Sequence, residues 1–136
     1  VLLIIQLVLV SIAAVSLVVG VVGIMNSMYT SVLERTRDIG VMKSVGAKRS
    51  DILKVFLIEA GIIGLIGGVV GVIIGVALAK LVGSAAAESG FSFLKIKIDY
   101  FVMLLCIIFS MLFAMFSGYL PAKRASKMEP VEALRG

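Results

Sequence analysis

Residues 1–33, VLLIIQLVLVSIAAVSLVVGVVGIMNSMYTSVL, contain no Asp, Glu, Lys or Arg. The first 25 are almost wholly apolar, with Gln6 the only amide. A helix needs about 20 such residues to cross the hydrocarbon core of a bilayer, so 25 suffice with some tilt. The stretch is therefore read as a transmembrane helix. The more polar run Asn26-Ser27-Met28-Tyr29-Thr30-Ser31 carries it beyond the bilayer.

Two further stretches repeat the signal. Residues 55–79 hold a single charge, Glu59, and residues 100–120 hold none. The composition agrees. Of 136 residues, 61% are apolar and 15% charged, against roughly 25% charged in soluble domains. Mean hydropathy is +1.20. Too few polar residues remain to coat a soluble fold, so an ordinary soluble enzyme, a disordered chain and a disulfide scaffold are excluded. The expected fold is an all-α membrane protein of three transmembrane helices. The segments are 1–33, a span with a polar extension; 34–54, a charged loop and helix; 55–79, a Gly-rich span; 80–99, a loop; 100–120, a span; and 121–136, a basic tail.

The charged loop has internal punctuation. Gly46 suits the position just past a helix C-terminus. Ser50 suits a helix N-cap, with Asp51 in the first turn. A short surface helix before Gly46 and a new helix from about Asp51 follow. In residues 91–98, polar–apolar alternation reads as a short strand or an extended interfacial segment. Asp99 is placed to cap the third span, and Pro121 falls where that helix is expected to stop.

Charge sets the orientation. The net charge of +5 comes from basic residues lying between apolar blocks, which points to membrane topology rather than to nucleic acid. Loop 34–54 carries Arg35, Arg37, Lys43, Lys48, Arg49 and Lys54. The tail carries Lys123, Arg124, Lys127 and Arg135. Cytoplasmic segments are enriched in Lys and Arg. Both are expected in the cytoplasm and residue 1 outside, which requires an earlier span in a longer protein.

Candidate chemistry is sparse. There is no His and one Cys, so neither His-based catalysis nor a His/Cys metal site is available. Cys106 reads as packing. The run from Gly40 to Ser50 is no phosphate loop, because Ala47 separates the second glycine from Lys48 and no strand precedes it. Gly64, Gly68, Gly71 and Gly75 recur on one helix face with Gly67 beside them, and small residues let helices approach closely in lipid. These five are read as a packing interface, facing either another helix of this chain or a second subunit. Glu59, about one turn inside its span, reads as an anchor pairing with a loop cation rather than as a proton relay, since no span holds a second charge. Asn26 is either an interhelical amide or the point where a helix leaves the bilayer. The segment Glu34-Arg35-Thr36-Arg37-Asp38-Ile39-Gly40 alternates donors, acceptors and apolar side chains, which suits a docking surface.

The ordered motifs resemble the FtsX-like permease family, the membrane subunits of macrolide-exporter and lipoprotein-releasing ABC transporters. They are Asn26; Val32 through Gly40; Lys43-Ser44-Val45-Gly46-Ala47-Lys48-Arg49-Ser50-Asp51-Ile52; Phe56-Leu57-Ile58-Glu59-Ala60; Gly118-Tyr119-Leu120-Pro121-Ala122-Lys123-Arg124-Ala125; and Met128-Glu129-Pro130-Val131-Glu132-Ala133-Leu134-Arg135. Asp38 stands where the family commonly has Glu. The resemblance implies a four-span subunit of the cell membrane with an extracytoplasmic domain after the first span, this chain being the last three. Glu34, Arg35, Thr36, Arg37, Asp38, Ile39, Gly40, Lys43 and Gly46 would belong to a coupling helix docked on a cytoplasmic ATPase. That ATPase, in a separate subunit or domain, would bind ATP and magnesium, leaving this chain without cofactor or catalytic residue. Asn26, Glu59, Pro121, Arg124, Pro130 and Arg135 would be structural anchors. A second permease subunit would complete the assembly. The implied function is permease, transmitting the ATPase cycle to the extracytoplasmic side for export or efflux. The alternative is a regulatory membrane scaffold of the cell-division type that moves no substrate.

Overall fold

The computed structural model describes residues 2–88 and 99–128. Four helices follow one another: α1 (Leu2–Glu34), α2 (Thr36–Ser44), α3 (Arg49–Glu88) and α4 (Tyr100–Lys127). Among the described residues there is no strand. The alternating segment 91–98 lies outside them. α1, α3 and α4 are long and apolar enough to cross a membrane, and α2 lies between the first two. The all-α, three-span fold is the one expected.

Two helix ends differ from the sequence reading. α3 does not stop at Ala79 but runs to Glu88. Gly83 and Ser84 look like a break, yet the alanines that follow are the best helix formers, and one glycine costs only about 1 kcal/mol. At roughly 1.5 Å per residue, its 40 residues outrun the ~30 Å hydrocarbon core. α4 likewise passes through Pro121 to Lys127. An internal proline forfeits the bond to the carbonyl four residues back and costs about 3 kcal/mol or more. Here the residues beyond it, Ala122, Ala125 and Ser126, are buried against the other helices, and their packing offsets the loss.

The N-terminus of α3 is also capped differently. Ser50 lies inside the helix and its hydroxyl turns to Asp51. The Asp51 carboxylate instead accepts from the Lys48 backbone N–H at 3.1 Å, the returning half of a capping box. Asp99 caps α4 as expected, accepting from the Phe101 N–H at 2.9 Å.

α3 and α4 pack antiparallel through small residues spaced four apart on both. Ala60, Gly64 and Gly68 meet Gly118, Ala114 and Ser110 in turn. A Cβ on Gly64 would collide with Ala114 Cβ and lie 2.7 Å from the Ser110 carbonyl oxygen. The Ser110 hydroxyl donates to the Gly64 carbonyl at 2.8 Å. On its other side, α4 donates from Ser117 Oγ to the Val21 carbonyl of α1 at 2.5 Å. Such serine bonds tie helices where lipid supplies no hydrophobic drive. The expected glycine face is thus only partly in contact. A methyl group added at Gly67, Gly71 or Gly75 would have no atom within 4 Å, and all three border an open groove of about 480 Å³. The contact follows the strict four-residue line, and Gly71 and Gly75 drift off it.

Gly64→Leu is expected to destabilise the α3–α4 pair by about 1–3 kcal/mol through overpacking, read as a lowered unfolding midpoint in detergent. Gly71→Leu is expected to leave that midpoint nearly unchanged.

Candidate functional site

The tightest packing lies where all four helices meet. Met28 and Val32 of α1, Ile39 of α2, Ile52, Phe56 and Ala60 of α3, and Ala122 and Ala125 of α4 form one buried cluster. α2 is built into it. The break between α1 and α2 is a single residue, Arg35, and backbone bonds continue across it, from Arg35 N to Ser31 O and from Ile39 N to Arg35 O, each 3.1 Å. The Thr36 hydroxyl donates back to the carbonyls of Val32 and Leu33 at 3.1 and 2.8 Å, satisfying acceptors that the end of α1 would leave open.

At its far end α2 stops on Gly46, the one described residue outside the ordinary backbone range, at φ 103°. The Ala47 N–H reaches Met42 O and the Gly46 N–H reaches Lys43 O, both at 3.0 Å. This is the Schellman closure that glycine permits. Gly46 is the turn, as expected from its position.

The faces of α2 are distinct. Ile39 and Gly40 are buried, and Thr36 and Lys43 are half-buried beside them. The Lys43 ammonium donates to the Ser126 carbonyl at 2.8 Å and to the Met128 carbonyl, so a cation sits at the C-terminal end of α4, where the helix dipole favours it. Four residues expected as docking contacts, Thr36, Ile39, Gly40 and Lys43, therefore face the bundle. Val32 and Ile39 are both buried, and Met42 is exposed. The outward face is Arg37, Asp38, Val41, Met42 and Val45, with Glu34 beyond. Val45 is 85% exposed.

Among the described residues, one ion pair is formed: Arg35 Nη1 to Glu59 Oε2 at 3.6 Å. Glu59 thus meets a loop cation. At 57% and 30% exposure, solvent screens the pair, and it contributes about 1 kcal/mol at most. Asn26 is exposed rather than buried and borders a groove between α1 and α4 together with Tyr29, Pro121 and Arg124. The Arg124 guanidinium lies 5.8 Å from the Tyr29 ring centre. Pro121 is buried. Pro130 and Arg135 lie outside the described residues.

Sequence reading missed the role of Lys43 and the partner row on α4. The second had a signal: Ser110, Ala114, Gly118, Ala122 and Ser126 recur every four residues. The first had none, because it joins residues 83 and 85 positions apart.

Three long apolar helices packed through small residues, with a short charged helix clamped at one end, define a multi-pass membrane protein. The FtsX-like permease C-terminal family model matches residues 10–130. The chain belongs to that family. It is 43% identical over 98% of its length to an uncharacterised ABC transporter permease of Methanocaldococcus jannaschii. It is 47% identical over 92% to the ABC transporter permease YknZ of Bacillus subtilis. It is 48% identical over 91% to the macrolide export ATP-binding/permease protein MacB of Shewanella oneidensis. The chain spans 33%, 30% and 18% of these relatives.

Lys43→Met is expected to loosen the last turn of α4. Losing a cation at a helix C-terminus costs about 1 kcal/mol, so amides near residues 124–127 should exchange about five-fold faster with deuterium.

Proposed function

We propose that this chain is the permease core of an ABC transporter and takes up the motion of an ATPase through the outward face of α2. The carrying observation is the division of α2 into two faces. One is locked to α1, α3 and α4 by Ile39, Thr36 and Lys43. The other presents Arg37, Asp38, Val41, Met42 and Val45 with no partner among the described residues. Mixed charge around apolar side chains fixes the register of a protein contact and excludes wrong partners.

A helix held this way moves only with the helices it is clamped to. ATP-driven closure of the ATPase, which supplies ATP and magnesium binding, would tilt α2, and the shared cluster would pass the tilt to α1 and α4. The ligand's differential affinity for two states supplies the work. Rigid rods repacking at one end are an established way to carry such a change. In this reading α2 and the tail are cytoplasmic, the start of α1 is extracytoplasmic, and a second permease subunit completes the transporter. The names of the relatives, ABC transporter permeases and a fused ATP-binding/permease protein, support the ATPase as partner. They extend the reading to efflux.

Arg37→Glu, on the outward face and remote from the Arg35–Glu59 pair, tests this. The complete transporter should insert normally, release or weakly hold its ATPase on co-purification, and lose most ATP-coupled transport. Full coupled transport by the variant would contradict the docking face.

A further inference from the structure

The groove between α1 and α4 has a polarity gradient along its length. Val19, Val22 and Gly23 line its deep end, and Leu120 and Pro121 its wall. Asn26, Tyr29 and Arg124 close the other end, toward α2. Its volume is about 610 Å³. From Val19 to Tyr29 the helix rises roughly 15 Å, half of a ~30 Å hydrocarbon core. The groove therefore has the depth of one leaflet.

The polar end is cationic. Among the described residues no carboxylate pairs with Arg124, whose guanidinium leans on the Tyr29 ring. Lys123 and Lys127 share the same end of α4 and are exposed. A guanidinium recognises phosphate through two parallel hydrogen bonds. Asn26 adds an amide with no side-chain partner among the described residues. Basic pockets between transmembrane helices at the membrane surface suit anionic headgroups. The mouth of the groove opens along the same helices that span the bilayer.

We infer that this groove binds one anionic phospholipid of the leaflet adjoining α2, its phosphate on Arg124 and an acyl chain along Val22 and Gly23. The occupant is a lipid rather than a protein helix. A lipid suits it because a phosphate meets Arg124 at one end while the rest of the wall offers an acyl chain apolar surface. It is anionic rather than zwitterionic because Arg124 stands at the head position with no acid in the groove lining, and Lys123 and Lys127 add positive charge at the same end of α4.

The test uses the complete transporter with a benzoylphenylalanine placed at Val19, reconstituted in phosphatidylcholine vesicles containing a minority of phosphatidylglycerol. After illumination, mass spectrometry should find phosphatidylglycerol adducts enriched above the vesicle fraction. Arg124→Gln should reduce that enrichment about five-fold, the worth of one cation near the surface. Gly23→Leu should abolish it by filling the groove. No atom lies within 4 Å of the Cβ position at Gly23, so this variant keeps its fold whatever Arg124→Gln does. Adducts in vesicle proportion, adducts to another protein segment or a second copy, or enrichment surviving Gly23→Leu would each overturn the assignment.

Discussion

Ile39 seated among side chains of the three long helices is the contact on which the rest depends. Without it α2 would be a charged segment tethered at Arg35 and Gly46. With it, the short helix has no freedom of its own. Ile39 is fully buried and belongs to one cluster with Met28, Val32, Ile52, Phe56, Ala60, Ala122 and Ala125. Burying one such side chain contributes roughly 1.5–3 kcal/mol. That exceeds anything the exposed Arg35–Glu59 pair adds.

The packing is uneven along the bundle, and this matters for motion. At the α2 end all four helices converge. Further away, α1 from Leu2 to Gly20 is exposed along its whole length, and beyond Gly68 a groove opens between α3 and α4 beside Gly71 and Gly75. In the proposed coupling, a tilt at the tight end is passed along the rods to the other end. The hydroxyls of Ser110 and Ser117 register α4 to α3 and to α1.

Much of this was legible in the sequence. Long apolar stretches with at most one charge marked three spans, and Gly46 and Asp99 marked two helix ends, because each rests on local chemistry. The failures share a cause. Pro121 and Gly83 are strong local punctuators, and both were overridden, one by buried Ala122 and Ala125, the other by an alanine run. For the glycine face, periodicity names a face but not a partner: within this chain α4 packs on Gly64 and Gly68, while Gly67, Gly71 and Gly75 border a groove. The sorting of the charged segment into inward Lys43 and outward Arg37 was not legible at all. It depends on where α4 ends, more than eighty residues later.

The claim that α2 moves as one body with the helices behind it is tested most directly by a distance. Spin labels at Ser44 and Lys123, both exposed, in the complete transporter report the separation of α2 from α4 by pulsed electron resonance. One narrow distance, unchanged between the ATP-free and ATP-bound states, is the predicted result. A shifted or second distance on ATP binding would show that α2 swings free of the bundle and would contradict the account.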